Sequence, residues 1–412
     1  MKKKPELLAP AGNFEKLKYA LHFGADAVYC AGERYGLRAQ SDNFNMETLK
    51  EAVTYTHDRG KKIYITVNML PRNEDFIGLP EYLSQINALG IDGIIVADPG
   101  VFMVAKETVP NLKISMSTQT NNLNSQSVLF WYKQGARRMV LARELSYREI
   151  SEIMANKPQD MEIEIFVHGA MCIAYSGRCL LSHYMTGRDA NRGDCAQSCR
   201  WKYHLMEEQR PEEYFPIEED GEGAFVFNSK DLCLIRQIPT LMATGIDSFK
   251  IEGRMKSLYY VSTVVSVYRQ VIDRCNEDPN FIEVPESYVE ELQKTSHRHF
   301  TEGFFHGTLG ESSQNYESSS YQRSYDFAGI VLDYDVQNKM ALVEQRNKIS
   351  LGDTIEILSA SHQHGSYRQI VTFMKDEEGN TLQEVPHPQM HFYIKMEIPV
   401  RKMDILRKPR HK

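Results

Sequence analysis

Four times in the first 250 residues, a glycine closes an amphipathic helical stretch and stands directly ahead of an apolar, strand-like run. These are GADAVY (24–29), GIDGII (90–95), GARRMV (135–140) and GIDSFK (245–250). Glycine takes the left-handed conformation that ends a helix, so each is expected at the position just past a helix terminus. The pattern therefore predicts αβ loops repeated at one end of a sheet. Around it run eight short apolar segments: 6–11, 27–32, 62–69, 93–98, 113–118, 137–142, 162–169 and 247–254. Helical stretches such as NFEKLKYALHF, METLKEAVTYTHDR, LPEYLSQINAL, PGVFMVAKETV, SQSVLFWYKQ and SYREISEIMAN lie between them. Near-continuous apolar strands alternating with helices indicate a parallel sheet covered by helices.

Eight parallel strands close into a (β/α)8 barrel of the TIM type. An open doubly wound sheet is the alternative; no GxGxxG follows the first run, which favours the barrel. Chemistry then belongs at the C-terminal strand ends, where the chain offers Asn13, Glu33, Asn68, Asp98, Gln119, Arg143, His168, Glu252 and Arg254. The barrel is expected over 1–280, an extension and serine-rich linker over 281–326, and a small all-β barrel domain over 327–412. This last domain is read from short alternating strands with turns such as DEEGNT. It ends in RKMDILRKPRHK, with six Lys or Arg and one Asp, on a chain of net charge −7. A basic tail on an acidic protein points to an anionic partner, with a solvated end as the alternative. The N-terminus lacks the apolar core of a signal peptide, and no stretch approaches a membrane span. A cytoplasmic location and no membrane partner are expected, and in that reducing compartment structural disulfides are not.

The alternation breaks once, in about 60 residues between the seventh run and a helix expected to start near Asp231. Four of the seven cysteines fall there, as C-x6-C-x15-C-x3-C: Cys172, Cys179, Cys195 and Cys199. Their neighbours are Gly, Ser, Arg and Asp, which argues against inert core cysteines. Zinc sites favour paired tight knuckles, and only CAQSC qualifies. An iron–sulfur cluster takes its thiolates at separate corners and accepts the wider spacing, so a [4Fe–4S] cluster is the expectation. Cys233, in NSKDLC, is a fifth candidate ligand in place of Cys195 or Cys199, or else a packed residue at a helix start. Cys30 reads as core and Cys275 as exposed.

EIFVHGAMCIAYSGRCLLS (164–182) resembles the signature of the collagenase-like peptidase family, whose peptidase label carries no established catalytic type. ELLAPAGN, GADAVY, GRDANRGDCAQSCR, NSKDLC, SFKIEGRMKS, SHRHFTEGFFHG and the C-terminal β-domain extend the resemblance over most of the chain. The resemblance implies oxygen-independent hydroxylation. Its tRNA-acting branch makes 5-hydroxyuridine at the wobble position, with prephenate as hydroxyl source and a cysteine-bound [4Fe–4S] cluster, and the β-domain looks like that branch's. Cys172 and Cys179 match the signature pair; Cys195 and Cys199 match the downstream pair. The implied partners are tRNA, a small dicarboxylate co-substrate and, as a candidate, a paralogous family subunit.

On that reading Arg143, Arg254 and Lys256 are candidate carboxylate binders, since arginine pairs with carboxylates in bidentate fashion. Salt bridges within the barrel mouth are the plainer account. His168 and Glu252 are candidate proton-transfer groups, or structural hydrogen-bond partners. Arg401, Lys402, Arg407, Lys408 and Arg410, with Lys412, would meet RNA phosphates. The aromatic rings of HRHFTEGFFHG would stack on a flipped base or pack on the barrel. A collagenase-like hydrolase is one alternative function, with His168 four residues before Cys172 as a conceivable dyad, although no GxSxG or HExxH occurs. A non-catalytic, metal-containing RNA-binding protein is the other.

Overall fold

The computed structural model describes residues 4–37, 42–172, 174–201, 205–206, 214–215, 230–307, 322–361 and 367–410. Seven strands follow one another in parallel: β1 (Glu6–Pro10), β2 (Ala27–Cys30), β3 (Lys62–Val67), β4 (Gly93–Val96), β5 (Ile114–Met116), β6 (Arg138–Val140) and β7 (Glu162–Ala170). An eighth, β8 (Ser248–Ile251), pairs with both β1 and β7 and closes the barrel. Helices α1 (Phe14–His22), α2 (Met46–His57), α3 (Leu79–Ala88), α4 (Pro99–Thr108), α5 (Ser125–Gln134) and α6 (Tyr147–Asn156) cover it in sequence order. The four expected glycines, Gly24, Gly90, Gly135 and Gly245, all have positive φ, between 86° and 108°.

Side chains alternate across each strand. Leu7, Ala9, Val28, Cys30, Ile63, Ile65 and Val96 face outward and join the helices in one large apolar cluster. Their neighbours Leu8, Ala27, Tyr29, Tyr64 and Ile95 form a small separate cluster inside the barrel. Charge fills the rest of the interior. Arg138, 3% exposed, reaches Glu6 at 2.6 Å, Glu162 at 2.6 Å and Glu164 at 3.0 Å. Lys250 reaches the other oxygen of Glu164 at 2.9 Å. Burial opposes the charge on Glu162, but Arg138 and Lys113 outweigh it and hold the carboxyl down at about 2.

Two elements were not foreseen. Asp231–Cys233, expected to open a helix, is a short strand antiparallel to the end of β7. The helix, α8 (Ile238–Thr244), starts later, after a 3-10 turn at Ile235–Gln237. Phe300–Thr301 pairs with Asp231–Cys233 and extends the sheet. So SHRHFTEGFFHG packs on the barrel: Phe300 stands 5.5 Å from the His168 ring, and Phe305 stacks near Tyr147 at 5.3 Å. Of the acidic stretch 207–223 only Tyr214–Phe215, a short strand paired with Leu205–Met206, is described, and most of the serine-rich linker lies outside the described residues.

After the long helix α9 (Leu258–Glu277) and α10 (Glu286–Gln293), the all-β domain begins at Tyr325. Seven of its strands form one antiparallel sheet. Its outermost strands, Tyr367–Ile370 and Met374–Lys375, are consecutive in the chain. The basic C-terminal segment is an interior strand of that sheet, Ile405–Pro409, not a solvated tail. Arg407 is fully buried and clamps the two domains together, holding Glu291 of α10 and Glu356 of the β-domain. Tyr259 of α9 stacks on Phe327 at 5.9 Å across the same junction. Among the described residues, no helix is long and apolar enough to cross a membrane.

Candidate active site

The C-terminal strand ends surround a cavity of about 660 Å³ that reaches from the barrel interior to the β-domain. Tyr29, Phe166 and Lys250 lie at its floor, with the Lys250 ammonium 4.6 Å from the Tyr29 ring centre. The β-domain supplies part of one wall through Arg323, Tyr325, Phe327 and Asn347. The cysteine-bearing excursion supplies another. All four of its cysteines, Cys172, Cys179, Cys195 and Cys199, line the cavity as partly exposed thiols, and none is in a disulfide. Burial pushes the Cys172 thiol up.

The excursion is fastened to the barrel by polar contacts. Glu144 accepts from the Ser176 hydroxyl at 2.6 Å. Arg178 donates to the Gln119 carbonyl at 2.7 Å, while within the excursion the Cys179 amide donates to Asn191 at 3.1 Å. Arg192 forks onto Asp75 at 2.6 and 2.9 Å. Such bidentate pairs set geometry as well as energy. The other three cysteines stand apart from the cavity. Cys30 is buried outside the barrel, and burial pushes its thiol up to about 12. Cys233 is buried in its strand with Tyr268 against its sulfur. That agrees with packing rather than with a fifth ligand. Cys275 is half-buried against the core rather than exposed.

Among the described residues, no three His, Cys, Asp or Glu side chains converge tightly enough to share a single ion. Four thiols lining one cavity are the donor type that an iron–sulfur cluster takes. The donor set is thus chemically suited to a cubane.

Of the other sequence-derived residues, Arg143, Glu252, Arg254 and Lys256 all line the cavity. Arg143 donates to the Ala170 carbonyl at 2.7 Å and lies 4.3 Å over Phe166. Its Nε is buried with no hydrogen-bond partner among the described residues. Arg254, 4% exposed, donates to the Thr66 hydroxyl at 3.1 Å. Lys256 donates to the Ser296 carbonyl at 3.3 Å, and Glu252 accepts from the Tyr29 hydroxyl at 3.3 Å. Gly169, at φ 115°, lets Glu252 approach: a Cβ there would sit 2.5 Å from the Glu252 carbonyl oxygen.

His168 does not line the cavity. Strict alternation along β7 would put it on the same face as Glu164 and Phe166. But the β7–β8 register slips by one residue, pairing Lys250 with Phe166 and then Ile251 with His168. This bulge turns His168 to the outward face beside Ile251. There it is buried among Tyr260, Tyr268 and Phe300. Burial, aided by Lys256 and His297, lowers its pKa to about 3, so it is neutral and structural. Asn13 and Asp98 are spent as helix N-caps, and Glu33 is exposed outside the cavity.

The proposed phosphate contacts also separate. Arg407 is removed from that set by burial. Lys408 is paired with Asp353 at 2.8 Å, and Arg410 with Asp326 at 2.7 Å. Arg401 and Lys402 remain exposed on a turn, and Lys412 lies outside the described residues. Sequence reading missed Lys250, Tyr29 and Phe166. The usable signal was period-two alternation, which places Lys250 on the face of Ser248 and Glu252.

Fold and site together define a (β/α)8-barrel protein with a thiol-lined catalytic face and a fused β-domain. The chain belongs to Peptidase family U32: that family matches residues 12–315, and the Peptidase family U32 C-terminal domain matches 323–407. The tRNA hydroxylation protein P1 of Bacillus subtilis (strain 168) is 44% identical over 406 residues, 98% of this chain and 95% of that protein. The tRNA hydroxylation protein P of Escherichia coli (strain K12) is 36% identical, over 93% of this chain and 92% of its own. The 23S rRNA 5-hydroxycytidine C2501 synthase of Escherichia coli (strain K12) is 33% identical, over 74% of this chain and 46% of its own.

Proposed function

We propose that this protein is an RNA hydroxylase that installs the 5-hydroxyl of wobble uridine in tRNA, without molecular oxygen. Its co-substrate on this reading is a small dicarboxylate of the prephenate type. Its cofactor is a [4Fe–4S] cluster held by Cys172, Cys179, Cys195 and Cys199. The observation that carries the reading is that these four cysteines, and none of the other three, line one cavity together with Arg143, Arg254 and Lys256. The names of relatives that cover nearly the whole chain point to the same class of reaction.

When bound, the cluster supplies electron transfer and Lewis acidity at the barrel mouth. The chain's own residues do the rest. Arg143 and Arg254 pair with the carboxylates of the co-substrate, and Lys256 adds a third positive charge. Glu252, bonded to Tyr29, holds or releases the proton displaced from the base. Apolar and aromatic walls exclude water and strengthen these pairs. Arg401 and Lys402, exposed on the turn before the last strand, contact phosphates of the RNA. A tRNA substrate places the protein in the cytoplasm, and a paralogous subunit is a candidate partner.

A cysteine-peptidase reading lacks its base. Among the described residues no histidine lines the cavity, and the bulge in β7 turns His168 away from Cys172.

The test is nucleoside analysis of tRNA from a strain lacking the gene, complemented by wild-type or Cys172→Ser protein. Hydroxyuridine-type modification should vanish on deletion, return with wild type and stay absent with the variant. Anaerobically purified wild type should carry about four irons per chain. Unchanged modification on deletion, or an iron-free active protein, overturns the proposal.

A further inference from the structure

Gln119 ends the strand segment after β5, in the turn Thr118–Thr120, and lines the cavity while only 4% exposed. Its side-chain amide has one orientation open to it. The Leu37 amide donates to Asn68 Oδ1 at 3.4 Å, which turns the Asn68 Nδ2 toward Gln119. Asn68 Nδ2 then donates to Gln119 Oε1 at 2.8 Å, and the Ser117 hydroxyl donates to the same oxygen at 3.1 Å. Reversing the amide would set Gln119 Nε2 against the Asn68 Nδ2 donor, although the Ser117 hydroxyl could turn to accept. Gln119 Oε1 is therefore committed. Its Nε2 is left as a buried donor with no hydrogen-bond partner among the described residues. Buried donors are almost always satisfied, so one left open on the wall of a site is a place for an oxygen of a ligand or of a water that a ligand displaces.

The location says which ligand atom. The Gln119 backbone carbonyl is held by Arg178, the residue before Cys179, at 2.7 Å. The turn carrying Gln119 also packs on the turn Tyr175–Gly177 of the cysteine excursion. Gln119 thus stands where the cysteine excursion meets the barrel, the side of the cavity on which the proposed chemistry at C5 of the base would take place. The ring atom bonded to C5 on the side of the Watson–Crick edge is C4. It carries an oxo group, an acceptor, in uracil and an amino group, a donor, in cytosine.

Resting on the RNA-hydroxylase reading above, we propose that Gln119 is the specificity-determining residue of this site. Its Nε2 donates to O4 of the target uracil, and the Asn68 Nδ2 donor that opposes amide reversal makes the site reject cytosine. Uridine satisfies the open donor. Cytidine would set two donors face to face and leave both unpaired in a dry site, the arrangement that discriminates most strongly between analogues.

The test uses the full-length protein in the deletion strain and, purified anaerobically, on tRNA transcripts bearing uridine or cytidine at the target position. Gln119→Leu removes the donor; hydroxyuridine should fall at least tenfold while iron content and tRNA affinity hold. Gln119→Glu keeps the acceptor for Asn68 and Ser117 and should show a similar fall, which covers the case in which the leucine variant does not fold. Asn68→Asp is the sharper variant. The introduced carboxylate offers only acceptors, so Gln119 turns its Nε2 toward that carboxylate and presents Oε1 to the cavity. Hydroxycytidine should then appear on the cytidine transcript as hydroxyuridine declines. Hydroxyuridine within twofold of wild type in Gln119→Leu overturns the assignment. So does recovery of that variant by excess carboxylic acid co-substrate, which would place Gln119 on the co-substrate instead. If deletion of the gene itself leaves hydroxyuridine unchanged, the hydroxylase reading falls first and the assignment falls with it.

Discussion

At the N-terminal end of the barrel Arg138 meets three carboxylates, and Lys250 meets one of them. Further along the same sheet, Arg143 and Gln119 keep buried N–H groups with no partner among the described residues. Both regions are polar and both sit inside a barrel whose interior is ordinarily filled by branched apolar residues. The difference lies in closure. Below, three cations (Lys113, Arg138, Lys250) face three carboxylates (Glu6, Glu162, Glu164), and the network needs nothing from outside. Above, donors and thiols are left for a ligand. The comparison teaches that buried polarity alone does not mark a site; what sets this end apart is unmet hydrogen-bonding capacity on the wall of a cavity that also holds four thiols. Lys250 stands at the boundary, bonded downward to Glu164 and exposed upward to the cavity.

If the two ends differ in this way, they should fail in different ways. The largest effect is expected at the mouth. Cys179→Ala should abolish hydroxylation and iron retention, and the urea midpoint of the iron-free protein should move little. A large shift in that midpoint would show that the thiol belongs to the folding core.

Next is the floor. Arg138→Met leaves three carboxylates around an uncharged side chain and should cost about 3–5 kcal/mol, read by urea unfolding. A loss under about 1 kcal/mol would mean the network is open to water, and the contrast between the ends would disappear.

The third effect is a pH dependence. His168 has its pKa lowered to about 3 by burial, against roughly 6.5 in the unfolded chain. As pH falls below 6.5 the unfolded state binds the proton and the folded state does not. Stability present above pH 6.5 is therefore lost progressively down to about pH 3. Between pH 7 and pH 5 this amounts to about 2 kcal/mol. Glu162 and Glu356, both lowered to about 2, add to acid sensitivity only below about pH 4.5. The His168→Phe variant should lose the pH 7-to-5 component of the urea midpoint shift. If it keeps the full shift, the histidine is not the group responsible.

The smallest effect separates the two kinds of C-terminal cation. Arg401→Ala and Lys402→Ala should each lower the slope of log affinity for tRNA against log salt by about 1. Arg407→Ala should leave that slope unchanged and destabilise the protein by uncovering Glu291 and Glu356.

The sequence by itself determined the elements that depend on local pattern. Eight apolar runs, punctuated by glycines at helix exits, became the eight barrel strands, and the six helical stretches became α1 to α6. The four clustered cysteines were visible as one group because an excursion in the chain keeps neighbours together. Tertiary structure decided the rest. A single-residue bulge in β7 turned His168 from a candidate base into a packed neutral ring. Antiparallel pairing drew Asp231–Cys233 out of a helix and into the barrel sheet. The run RKMDILRKPRHK, read as a tail, became an interior strand because Glu291 and Glu356, more than 50 residues upstream, receive Arg407. Only the assembled mouth shows that Gln119 is locked as a donor by Asn68. The physical reason is common to all four. Periodicity and capping act within a few residues, whereas strand register, ion-pair partners and unmet hydrogen bonds are set by contacts between distant segments, and no local pattern encodes them.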